Sequence, residues 1–262
     1  MIGMRQVTDN IAHDLRTPLS RLRARLEVTL IEKPDATRYA EALRATIAEA
    51  DNLLGTFNAL LSIAEAEAGS RRENLAAVDL SEIARNVAEL YEPVADEKGL
   101  ALTLDITEGI RVRGDVHLLS QAIANLVDNA LKYTVEGSVA LRTLVSGGQA
   151  RIEVMDSGPG VPPERREAVF DRFVRLEGSR STPGNGLGLS LVRAVAKLHD
   201  GSVWLEDNTA NPEKPGLKAV MQIPLAAAET RSSAERNTPR IVSSAAALAT
   251  AGTETERKLG KA

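Results

Sequence analysis

The chain reads as an α+β protein of two domains, an antiparallel helical hairpin followed by a two-layer α/β sandwich, and three observations predict this. Apolar residues over roughly the first quarter repeat at helical spacing, later segments alternate helical and strand periods, and the polar break Gly69, Ser70, Arg71, Arg72, Glu73, Asn74 lies between them. A length of 262 residues, with 43% hydrophobic and 26% charged side chains, suits about two domains of ordinary globular composition.

The first helix is expected over residues 4–32. At about 100° per residue, Ile11, Leu15, Leu19, Leu22 and Leu26 fall within roughly 40° of one direction, and His13 points about 160° away from it. His13 therefore faces solvent, with Thr17 beside it and Asp14 next in sequence. An imidazole with an ordinary pKa near ~6.5 is largely unprotonated and nucleophilic at neutral pH, and Asp14 could take or hold its ring proton. Pro34 closes this helix. A second helix is expected from about residue 38 to 68, where Leu43, Ile47, Ala50, Leu54, Phe57, Leu61 and Ala64 alternate three and four apart as a heptad seam. Two helices of this size enclose too little interior of their own. The hairpin is therefore expected to meet that of a second copy in a dimeric four-helix bundle across a two-fold axis.

The domains predicted are the hairpin at 1–70, a linker at 71–78 that extends a hinge beginning near residue 69, and a second domain at 79–225. Within the second domain, helices are expected at about 80–98, 115–133 and 187–199, with a short one near 163–170. Strands are expected at 101–106, 110–113, 138–145, 150–155, 202–206 and 217–223, forming one mixed sheet. Residues 226–262 turn to Ala, Thr, Ser, Glu and Arg with few bulky apolar residues, and read as a disordered tail.

A net charge of -4 gives no basic field for a nucleic-acid backbone, so no nucleic-acid partner is expected. No apolar run is long enough to cross a bilayer and no leader pattern opens the chain. The absence of cysteine excludes disulfides and thiol chemistry and fits a reducing compartment. A soluble, cytoplasmic core is the expectation.

Polar residues concentrate on the second domain. Asn125 and Asn129 stand four apart on one flank of the 115–133 helix, where asparagine is a poor choice, and Lys132 and Tyr133 follow. An amide oxygen suits Mg²⁺, and a lysine at the helix end suits phosphate oxygens. Asp156, Ser157, Gly158, Pro159 and Gly160 form a tight turn after a strand, its carboxylate able to accept from an adenine amino group while the glycines let the backbone close on the ring. Gly184, Asn185, Gly186, Leu187, Gly188 and Leu189 open another helix, whose first amides could meet phosphates. The stretch from Arg175 to Pro183, with Arg175 and Arg180, reads as a mobile lid anchored by Phe170 and Phe173. His117 and His199 are assigned structural roles.

Taken in order, these segments resemble the transmitter core of sensor histidine kinases of two-component signalling. The His13 segment is similar to that family's H box, Asn125–Tyr133 to its N box, Asp156–Gly160 and Gly184–Leu189 to its two glycine boxes, and Phe170–Phe173 to its F box. The resemblance implies a dimerising phosphoacceptor hairpin and a Bergerat-type ATP-binding domain shared with gyrase and Hsp90. It makes His13 the phosphoacceptor, Asp14 its proton acceptor, and Thr17 a position linked to dephosphorylating a partner. It also makes Asn129 the Mg²⁺ ligand and Asp156 the adenine acceptor, with Lys132 and Arg175 near the triphosphate. ATP and Mg²⁺ are the implied cofactors. A homodimer and the receiver domain of a response regulator are the implied partners, and any membrane link would come through a sensor region upstream. The ATP-hydrolysing relatives resemble this chain but carry a Glu where Asn125 stands, and an amide is no general base. An ATP-driven machine of the gyrase type and a pseudokinase scaffold are the competing readings.

Overall fold

The computed structural model describes residues 19–20, 22–32, 35–68, 72, 75–176, 184–209 and 216–226. His13, Asp14, Thr17, Pro34 and Arg180 fall outside these residues, as do the tail from 227 onward and the central part of the lid at 177–183.

Helix α1 is described up to residue 32 and α2 runs Ala36–Glu67. Asp35 caps α2, its carboxylate accepting from the Arg38 N–H at 2.9 Å, and Arg25 of α1 reaches Glu49 of α2 at 3.5 Å. Among the described residues the expected seam is not covered: Leu43, Ile47, Leu54, Phe57 and Leu61 are all exposed. A different stripe, Thr56, Leu60, Ile63 and Ala66, is buried against the sheet domain. At about 100° per residue the two stripes lie roughly 150° apart, so α2 is apolar on two nearly opposite faces.

The second region builds a five-stranded sheet in the order β2-β4-β5-β7-β6, from β2 (Ala101–Ile106), β4 (Ser138–Ser146), β5 (Gln149–Asp156), β6 (Ser202–Asn208) and β7 (Gly216–Pro224). β2 runs parallel to β4, and the remaining pairs are antiparallel. Helices α3 (Leu80–Glu97), α4 (Val116–Tyr133) and α5 (Gly188–Leu198) pack on it as the second layer, and Leu80, Leu119, Ile123, Ile152, Leu191 and Met221 are among the fully buried side chains between the layers. This is the predicted α+β class, a helical region followed by a mixed sheet with helices.

Three segments depart from the sequence reading: 76–79 is a strand, the strand expected at 110–113 pairs with it outside the single sheet expected, and 163–170 is not one helix. β1 (Ala76–Asp79) pairs antiparallel with β3 (Arg111–Gly114), so residues 76–78 of the expected linker belong to a two-stranded ribbon. Two alanines in a four-residue strand carry little β-propensity, and the pairing partner lies more than thirty residues on. The expected helix near 163–170 is two single 3₁₀ turns, Pro163–Arg165 and Ala168–Phe170, consistent with prolines at 162 and 163 that remove backbone donors.

Candidate functional site

The three helices of the sheet domain begin differently. Asp79 caps α3 by accepting from the Ser81 and Glu82 amides, and Asp115 caps α4 by accepting from those of His117 and Leu118. α5 begins on Leu187, which offers no side-chain cap. The first amides of a helix lack intrahelical partners and carry the positive end of its dipole. At α5 they adjoin a cavity of about 720 Å³, which Leu187, Gly188 and Leu189 help to line.

That cavity gathers most of the residues singled out in the sequence. Asn125, Asn129, Lys132 and Tyr133 reach it from α4, Asp156 from the end of β5, Gly160 from the turn that follows, and Arg175, Gly184, Gly186, Leu187 and Gly188 from the two ends of the lid and the start of α5. Gly158 does not line it. Its N–H instead donates to Asp156 Oδ1 at 2.8 Å, and a Cβ there would stand 3.0 Å from the Tyr133 carbonyl, so its part is to hold the carboxylate from behind.

Asp156 is buried, and burial pushes its carboxyl above the usual carboxylate range, partly offset by bonds from the Gly158 and Leu217 amides. Both amides bond Oδ1, at 2.8 and 3.2 Å, so among the described residues Oδ2 remains an acceptor for a ligand. Val154, Val161, Leu205, Leu217 and Ala219 supply apolar wall near it, as a flat aromatic base requires.

At the other end, Asn125 Nδ2 donates back to the Gln121 carbonyl at 2.8 Å, which turns its Oδ1 toward α5. A Cβ on Gly188 would stand 2.8 Å from that oxygen, so any other residue there would displace the Asn125 amide from this position. Arg175 lines the cavity but also donates to the Gly184 carbonyl at 2.7 Å, tying one end of the lid to the other. Phe173 stands at φ 63°, and its N–H donates to the Gly186 carbonyl at 2.8 Å. Gly186 has φ 68°, and a Cβ on it would meet the Phe173 backbone at 2.8 Å. Arg193 of α5 stacks 4.6 Å from the Phe170 ring and pairs with Glu167, fixing the turn that leads into the lid.

Beyond the apolar wall, Asp128 and three residues of α2 line the cavity without having been anticipated. Asp128 stands between the two asparagines, where its position on α4 was the available signal. Gly55, Thr56 and Ala59 come from α2, and no local pattern announces that a helix of the first region will meet this cavity.

Residues 4–69 match the His Kinase A (phospho-acceptor) domain, and residues 114–227 match the family described as Histidine kinase-, DNA gyrase B-, and HSP90-like ATPase. The solved structure of the mycobacterial sensor histidine kinase MprB is 30% identical with a TM-score of 0.50, the likeness covering 58% of this chain and 97% of that one. The chain belongs to the sensor histidine kinase family. The sensor-like histidine kinase SenX3 of Mycolicibacterium smegmatis is 33% identical over 212 residues, which cover 79% of this chain and 55% of SenX3. This chain thus spans about half the length of the curated relative. Full-length ShkA in complex with AMPPNP is 26% identical with a TM-score of 0.56, covering 84% of this chain and 46% of that one.

Set on the chain, the two family matches divide the site unequally. The ATPase match takes in every cavity residue of α4, β5, the lid ends and α5. The phosphoacceptor match takes in His13, Asp14 and Thr17, and also the three cavity residues of α2. Of the other two histidines, His199 is built into the interior and His117 stands exposed in the first turn of α4. The His117 N–H serves the α4 cap, and His199, 3% exposed, bonds the Val195 carbonyl through Nδ1 at 2.7 Å and accepts from the Asp115 N–H through Nε2 at 3.1 Å.

Proposed function

We propose that this chain is an ATP-dependent protein histidine kinase that phosphorylates His13 and passes the phosphoryl group to an aspartate of a response regulator. The observation that carries the reading is the start of α5, which has no side-chain cap and lines, with Lys132, the same cavity as a buried carboxylate. The arrangement has one end suited to adenine and one suited to phosphates. Asp156 Oδ2 accepts from the adenine amino group, while the α5 amides and Lys132 hold the triphosphate.

A His13 ring nitrogen attacks the terminal phosphorus, and the bond to the bridging oxygen breaks as ADP leaves. Asp14 takes the proton from the other ring nitrogen. Such a transfer depends on alignment and charge neutralisation more than on covalent help from the protein. Mg²⁺ fits the oxygen donors present: Asn129, which lines the cavity, would hold it, and when bound it would neutralise phosphate charge. Asn125 provides no base for water, which favours transfer over hydrolysis. Thr17 could orient a water for dephosphorylating the regulator.

The exposed seam of α2 supports a homodimer in which two hairpins share a bundle. We assign residues 1–70 to the hairpin, place the hinge before β1, and assign 79–225 to the ATP-binding domain. Incubation with γ-labelled ATP, followed by mapping of the label, tests the proposal. An acid-labile, base-stable phosphoprotein that disappears in His13→Ala is expected. Steady ATP hydrolysis unchanged by His13→Ala would favour the gyrase-type reading and overturn this one.

A further inference from the structure

The nucleotide-site reading leaves α2 without a task, yet three of its residues form part of the cavity wall. Their placement is set by more than one contact. Leu60 and Ile63, 2% and 1% exposed, seat the helix against the sheet domain. Glu67 at its end pairs with Arg172 at 2.5 Å, just before the lid. Thr56 Oγ1 accepts a hydrogen bond from Asn185 Nδ2, between the two glycines of the loop that leads into α5. Thr56 is therefore held at the end of the cavity where Lys132, Gly184 and the α5 amides converge.

Gly55 is the residue the fold does not explain. It lies well inside α2, where glycine is a poorer helix former than alanine, and a Cβ built on it meets nothing within 4 Å. Neither a close approach nor a left-handed backbone requires it. What its missing side chain leaves is open space on a stretch of α2 that lines the cavity, next to Thr56.

We infer that α2 completes the nucleotide site at its phosphate end, with Thr56 fixing the glycine loop through Asn185 and Gly55 leaving the space that the terminal phosphate of a nucleoside triphosphate occupies. The inference rests on the proposed ATP site and adds to it a wall supplied by the phosphoacceptor region. Nucleotide discrimination then depends on a helix outside the ATP-binding domain. A side chain at position 55 reaches the volume that a third phosphate needs and a diphosphate does not.

The test is calorimetric titration of the full chain, with Mg²⁺, by AMPPNP and separately by ADP, comparing wild type, Gly55→Ala and Gly55→Leu. Gly55→Leu is expected to weaken AMPPNP at least tenfold and ADP less than threefold, without lowering the melting temperature. Gly55→Ala, a single methyl in open space, should keep most of the affinity and melt slightly higher. Gly55→Met, unbranched, repeats the comparison if leucine disturbs the seat of the helix. Unchanged AMPPNP affinity, or equal weakening of both nucleotides, would overturn the inference. A wild-type chain that binds neither nucleotide would instead sink the ATP-site reading itself, and this inference with it.

Discussion

In the sheet domain Leu119, Ile123, Ile152 and Met221 are fully enclosed, while on α2 Leu54 and Ile47 are each 61% exposed although they belong to an equally regular apolar pattern. The sheet domain closes its interior with strands and helices that follow one another in the chain. α2 has two apolar faces, and among the described residues only the one carrying Leu60 and Ile63 is covered. The difference teaches that a periodic apolar pattern reports a need for burial without naming the partner that meets it.

The largest expected effect probes the closed region. Leu119→Ala removes a fully buried side chain from beneath α4 and should cost about 2–5 kcal/mol in thermal or denaturant unfolding. A cost under about 1 kcal/mol would mean that the interior is looser than its burial indicates.

A second effect depends on pH. Burial holds His199 below the ordinary histidine range, against weaker opposing influences from its bond to the Val195 carbonyl and from Asp115 and Asp200. The native state resists the proton that the unfolded chain accepts near pH ~6.5, so stability should fall as pH drops below that value, by at most about 1.4 kcal/mol per pH unit. The decline ends below the lowered native pKa. Denaturation curves at successive pH values check this, and His199→Gln should flatten the slope. A slope unchanged in the variant would assign the acid sensitivity elsewhere.

Asp156→Asn tests the ligand face of the closed region. The neutral amide removes the burial penalty on a carboxylate, so the free protein should gain stability at neutral pH. The same change places an NH₂ opposite the adenine amino group and should weaken ATP binding about tenfold or more. Stability and affinity moving together in calorimetry would contradict the role given to Oδ2.

The smallest expected effect on folding sharpens the comparison most. Leu54→Glu lies on the open seam and should shift the melting of the sheet domain by no more than about 0.5 kcal/mol. Sedimentation should nevertheless show the dimer giving way to monomer. If the mass in solution stays the same, the seam is not where two copies meet.

Much of this architecture was legible locally. The six strands anticipated from sequence lie within a few residues of their observed bounds, because alternation and turn residues act over short stretches. The asparagines of α4, the Asp156 turn and the glycine loop were legible as polar or glycine-rich exceptions to those patterns. β1 was not, since its pairing with β3 is remote and its alanines give no signal. The bond from Gly158 to Asp156 was not legible either: a glycine beside a carboxylate reads the same whether it faces a ligand or supports the carboxylate from behind.

From its sequence alone this protein carries the order of its elements apart from β1 and the chemical types gathered for a nucleotide. Tertiary structure decided which face of α2 is buried, that Gly55, Thr56 and Ala59 reach the cavity, and that α5 starts without a cap beside Lys132. Periodicity and capping act through neighbours a few residues apart, whereas the docking of two elements depends on surfaces distant in the chain, and no local pattern records which surface will face which.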